Sequence, residues 1–297
     1  MRPAVTFALA ATLLSAAAGC GQAESAPPVA SVALTVSRSS VPLGGVIDLT
    51  YRFQVADGAG IPGDYRVFVH LTRDDGTTIW HDDHELPADH PTSRWQPGQI
   101  IEYTRTRFIP TFSYLGTATF RVGLYRDDDR LPLTGGDPED RDNSYKVATI
   151  DLLPRSENIR VIQLDGWHQQ EYSPTDPTLE WRWTRKVATL SVENPRTDLT
   201  FFLEYDTRND LFGANPQSVT VYCGDTLLST FKAASTASEP ALERILVTAA
   251  QLGTGAMAEF RIEVDRTFVP ATQPSGGTDD RELGIRVLRA HLERRTP

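Results

Sequence analysis

Apolar and polar residues alternate along most of the chain from Ser31 onward. Val32, Leu34 and Val36 share one parity, as do Ile47, Leu49, Tyr51 and Phe53. Tyr65, Val67, Val69 and Leu71 form a third set, Ala118, Phe120, Val122 and Leu124 a fourth, and Ala148, Ile150 and Leu152 a fifth. A strand turns successive side chains to opposite faces, so each set predicts a strand with one buried face. Turn signals separate the sets: Pro42-Leu43-Gly44-Gly45, Asp74-Asp75-Gly76 and Gly135-Gly136-Asp137-Pro138. No helical crossover pattern intervenes, which points to antiparallel pairing in a sandwich.

The run Pro154-Arg155-Ser156-Glu157-Asn158 reads as a joint, after which alternation restarts. Ala188, Leu190 and Val192 open the second series, followed by Phe201, Leu203 and Tyr205, then Val219 and Val221. Gly224-Asp225 between Tyr222 and Leu227-Leu228 predicts a hairpin. Leu242 to Val247, Phe260-Ile262-Val264 and Leu283-Ile285-Val287 complete this half. Helical candidates are short, and the best of them, residues 238–244, carries Pro240. The expected fold is therefore all-β, with two antiparallel β-sandwiches. An immunoglobulin-like one spans 31–154, and a jelly-roll or carbohydrate-binding-like one spans 158–294.

The N-terminal stretch has a different composition. Arg2 supplies one positive charge, residues 4–14 are apolar, and small residues run into Cys20, the layout of a secretory signal. Ala17-Ala18-Gly19-Cys20 resembles the lipobox of bacterial lipoproteins, departing from it at Ala17, where Leu is commonest. The resemblance implies a signal peptide over 1–19, acylation of Cys20, and a lipidated tether over 20–30 that reaches about 30 Å when extended. It also implies a membrane anchored through lipid. Because Gly21 rather than Asp follows the cysteine, the implied address is the outer membrane, facing the periplasm or the cell surface.

Charge narrows the partners. The net charge of −10 becomes −11 once Arg2 is removed, and no Lys/Arg cluster interrupts it. Nucleic acid is thereby disfavoured as a partner. With Cys20 committed to lipid, Cys223 has no partner for a disulfide, and its place at the end of an apolar run predicts a buried, inert thiol.

Two clusters offer ligand chemistry. His81, His84 and His90 lie in a run with Asp82, Asp83, Glu85 and Asp89, and imidazoles with carboxylates suit zinc. A metal-dependent hydrolase using these histidines is one consequence. On a strand, however, His81 and Asp83 face one way and Asp82 and His84 the other, and the plainer reading is a polar loop. Asp127, Asp128, Asp129, Asp137, Glu139, Asp140 and Asp142 form an acidic hairpin region with oxygen donors for calcium but no matching loop spacing. No cofactor is called for. Nucleophile elbows and phosphate-cradling loops are missing from the sequence, so nothing names a reaction.

Further short motifs carry a second resemblance. Residues 65–71 (YRVFVHL), the following Asp-Gly turn, the histidine run and Arg94-Trp95-Gln96-Pro97-Gly98 resemble a β-sandwich module of bacterial envelope proteins. Gly166-Trp167, residues 179–183, the Gly224-Asp225 hairpin, Phe268-Val269-Pro270 and Arg281-Glu282-Leu283-Gly284 resemble a sandwich module attached to glycan-related bacterial proteins. The resemblance implies a non-catalytic binding module for a cell-envelope or extracellular glycan. Trp167, His168, Tyr172, Asp279, Asp280, Arg281 and Glu282 are its expected contacts, because aromatic faces stack on sugars. Trp181 and Trp183 alternate with Leu179 and read as core, whereas Trp95 reads as a rim plug. The rival reading is a structural or assembly lipoprotein that docks a protein partner through a sheet edge.

Overall fold

The computed structural model describes residues 26–58, 60–139, 142–175, 179–213, 215–235, 240–273 and 277–295. Cys20, the signal over 1–19 and the first part of the 20–30 tether lie outside the described residues.

The described residues build four sheets around two main apolar cores. In the first half, Ile100–Phe108, Val46–Val55, Ala30–Val36 and Leu133–Thr134 lie side by side. The facing sheet runs Asp137–Glu139, Ser144–Leu153, Gly116–Arg126, Arg66–Thr72, Thr78–His81. Ser40–Pro42 pairs in parallel with Ser144–Leu153, so the N-terminal segment begins in one sheet and finishes in the other. That switch and the strand order are those of an immunoglobulin-like sandwich. The parity sets form its core: Ile47, Leu49, Tyr51 and Phe53 from one sheet meet Val67, Val69, Phe120, Val122 and Leu124 from the other. Trp95 plugs this core from its rim. Its ring tilts against Phe53 at 5.5 Å and its indole N–H donates to the His90 carbonyl at 3.0 Å.

In the second half, Val187–Glu193, Met257–Val264, Ser218–Cys223 and Thr226–Lys232 make one sheet. Glu180–Trp183, Arg286–Arg294, Leu199–Asp206 and Ala241–Val247 make the other. Numbering these eight strands in chain order gives 2-7-4-5 against 1-8-3-6, the jelly-roll order. The hairpin forms at Gly224-Asp225 as its turn chemistry requires, with Gly224 at φ 55°. Cys223 is buried beneath it and burial raises its thiol pKa. Of the helical candidate 238–244, residues 238–239 lie outside the described residues, and the rest is not helical: Ala241–Val247 pairs along Leu199–Asp206, placing Ile245 and Val247 in the core. Pro240 stands just before this strand, where its missing N–H removes no ladder bond.

Candidate functional site

Two short strands, Val161–Gln163 and Glu171–Tyr172, extend the two sheets of the jelly roll along one side. The sheets part there, leaving a cleft of about 290 Å³. Gln163, Gln170, Glu180, Arg182 and Arg155 supply its polar lining, and the core residues Leu190 and Val287 lie at its base. It opens into a second cleft of about 540 Å³ that runs to the joint between the sandwiches, past Asn158, Glu193 and Arg289.

Strand register explains the polar lining. Arg182 pairs with Val287, whose side chain is inward, so Arg182 and Glu180 share that inward parity at the open side. Gln170 donates its amide to the Glu180 carboxylate. Arg182 donates to the Gln170 amide oxygen at 3.1 Å and to the His168 carbonyl at 3.5 Å. The three side chains therefore brace one another. Tyr172 stands opposite Glu180 in the strand pair and is 56% exposed, which puts its aromatic ring on the same face of the sheet as Glu180.

The other predicted contacts take different places. Trp167 is half-buried against the second core, and its indole N–H donates to the Thr189 carbonyl at 2.7 Å. It is therefore not an exposed platform. Gly166 explains why: it turns at φ 83°, and a Cβ there would stand 1.8 Å from the Val187 oxygen, so the loop is pressed onto its neighbour. His168 is buried, with Nε2–H donating to the Glu282 carbonyl at 2.8 Å. Arg281 donates to Asp279 at 2.9 and 2.7 Å and to Glu171 at 2.7 Å. Those hydrogen bonds hold the Asp279 carboxyl at about 2 and raise the Arg281 guanidinium above its ordinary value. Glu282 accepts from the Thr267 hydroxyl at 2.7 Å, and Asp280 is exposed. The 279–282 loop thus uses its charges to brace its own end of the sandwich.

Trp181 and Trp183 leave the main core and point to the opposite face from Arg182. Trp183 is buried edge-on against Phe268 at 5.6 Å, in a small cluster with Leu283. Trp181 is half-buried, donates to Glu171 at 3.1 Å and carries the Arg286 guanidinium 4.7 Å above its ring. Sequence reasoning missed Gln163, Gln170, Glu180 and Arg182. Once the Trp181/Trp183 parity is recognised, the opposite parity of Glu180 and Arg182 is the signal that finds two of them.

No protein family and no curated relative matches the chain. Among solved structures it is similar to carbohydrate-binding modules of the β-sandwich superfamily, at 10% identity over 90% of this chain and 98% of that one, with a TM-score of 0.23. It is also similar to a β-glucuronidase of Bacteroides uniformis (9% identity, 90% of this chain, 30% of that one, TM-score 0.31). An alkylpurine DNA glycosylase of Pseudomonas fluorescens is a third (16% identity, 42% of this chain, 30% of that one, TM-score 0.27). The chain thus spans about a third of the length of the two enzymes. Likenesses of this size carry no functional argument. The β-sandwich fold rests on the chain's own sheets.

The predicted histidine trio does not converge. His84 is buried, with Nδ1 on the Asp82 carbonyl at 2.7 Å and Nε2 on the Tyr103 hydroxyl at 2.8 Å, so both ring nitrogens are engaged. Burial lowers its pKa to about 4. Asp82 beside it faces Arg107 at 2.6 Å and Arg105 at 3.4 Å. These inward residues close the open edge of the first sandwich. His90 lies apart, near Asp89 at 3.5 Å. Among the described residues, His81, His84 and His90 do not form one ligand group. The acidic hairpin is occupied by local contacts: Asp129 accepts from the Tyr65 hydroxyl, and Arg130 bonds the Asp142 carbonyl at 3.0 Å. The side chains of Glu139 and Asp140 lie outside the described residues.

Proposed function

We propose that the protein is a non-catalytic, lipid-anchored envelope protein whose jelly roll binds a glycan in the cleft between Val161–Gln163 and Glu180–Trp183. One observation carries this reading: a polar network of Gln170, Glu180 and Arg182 sits in an open cleft beside the exposed ring of Tyr172. Sugars need planar polar groups that bond hydroxyls in pairs, together with an aromatic face for their C–H surface. Amide, carboxylate and guanidinium groups supply the first and Tyr172 the second. The anchor is read from Cys20, and the envelope location from the residues around it.

The test is a glycan-array screen of the full-length protein in detergent, with Tyr172→Ala and Gln163→Ala beside it. The expected result is binding to an envelope-type glycan that weakens about tenfold or more in folded Tyr172→Ala, roughly the loss of one stacked ring. Failure to bind any envelope-type glycan would overturn the reading.

A further inference from the structure

We propose that His70, His81 and Asp83 form a binding site for a divalent transition-metal ion of the zinc class, on the outer face of the first sandwich. The strands Arg66–Thr72 and Thr78–His81 pair so that His70 stands directly opposite His81. Their rings meet edge-on with centroids 4.5 Å apart. The backbone bonds continue in register, Asp82 N–H to Val69 and His84 N–H to Val67, so Asp83 shares the parity of His81. Asp83 Oδ1 lies 3.8 Å from His70 Nε2, and one ligand atom from each of the three residues lies within 4.8 Å of the others. Among the described residues this is the one such group. Ligand atoms around a tetrahedral zinc stand roughly 3.4 Å apart, given metal–nitrogen distances of about 2.0–2.1 Å. Small rotations of exposed side chains close that difference.

The surroundings suit ligation. Phe68, nearly fully buried, lies 5.1 Å from the His70 ring and supplies an apolar wall; Gly123 makes room for it, since a Cβ there would stand 2.3 Å from the Phe68 ring. Asp83 accepts the Val69 N–H at 3.0 Å, which fixes the carboxylate. Two imidazoles and one carboxylate are borderline ligands that select zinc, nickel, copper or cobalt over calcium and magnesium. Three protein ligands leave further positions for water or a donor group of a bound molecule.

The test uses Zn²⁺ titrated calorimetrically into the tag-free, full-length protein in detergent, and Co²⁺ followed by visible absorption. The expected result is one ion per chain, with affinity at least tenfold lower in His70→Ala, His81→Gln and Asp83→Asn, and unchanged in His90→Ala. His81 and Asp83 are exposed, so their variants keep the fold, which near-ultraviolet circular dichroism checks. Absence of binding by the unaltered protein, or equal binding by His81→Gln and Asp83→Asn, would overturn the proposal. Neither outcome depends on glycan binding in the other sandwich.

Discussion

Phe108 of the first sandwich meets Phe202 of the second edge-on, with ring centroids 6.3 Å apart. Val46 and Leu242 complete a small apolar patch around them, and Arg244 donates to Asp48 at 2.5 Å beside it. The faces joined here are those turned away from the two main cores, so the sandwiches touch through side chains that alternation would otherwise assign to solvent.

His291 packs on both rings, 5.8 Å from Phe108 and 6.3 Å from Phe202, and burial lowers its pKa to about 4. The sign follows from linkage. Above about pH 6.5 the ring is neutral in folded and unfolded chains alike. Between 6.5 and about 4 only the unfolded chain takes the proton, so stability falls, and below about 4 the loss levels off. The full loss is at most about 3 kcal/mol for such a shift. Melting curves from pH 8 to 4 should show this slope, and His291→Gln should reduce it by about half, because His84, lowered to about 4 as well, contributes the remainder. An equal slope in both proteins would assign the acid sensitivity elsewhere.

Gly166→Ala should destabilise the jelly roll by roughly 2–4 kcal/mol, the range for a backbone clash at a special φ. The φ of 83° and the 1.8 Å approach to Val187 leave no room for a methyl group. Urea unfolding measures the change, and a loss below about 0.5 kcal/mol would mean that the 164–168 loop repacks.

Trp167→Phe removes the indole donor to Thr189 while keeping an apolar ring. It should cost about 1 kcal/mol. Glycan binding should be unchanged, in contrast to Tyr172→Ala. Loss of binding in a stable Trp167→Phe protein would move the site from the cleft to the 164–168 loop.

Cys223 should resist thiol reagents in the folded protein and react once denatured, because burial raises its pKa and blocks access. If Cys20 carries the proposed lipid, protein extracted from membranes should expose one reactive thiol on denaturation although the chain has two cysteines. Two reactive thiols would contradict the lipid anchor.

The strands were legible in the sequence because burial on one face imposes a period of two. Ile47, Leu49, Tyr51 and Phe53 alternate in sequence and are all essentially inaccessible in the fold. The same parity argument separated His81 and Asp83 from Asp82 and His84. What it could not provide is pairing between distant segments. His70 joins His81 only because the hairpin register aligns them. The cleft depends on Val161–Gln163 and Glu171–Tyr172, strands of three and two residues, too short to show any periodicity. The half-buried place of Trp167 was not legible either, because it depends on the tight approach of Gly166 to Val187, a contact between segments distant in sequence.

The most direct test of the cleft is hydrogen–deuterium exchange of the full-length protein, with and without an envelope glycan selected by the array. Protection confined to residues 161–163, 170–172 and 180–182 is the predicted result. Protection in the first sandwich or at the 279–282 loop, with these segments unchanged, would contradict it.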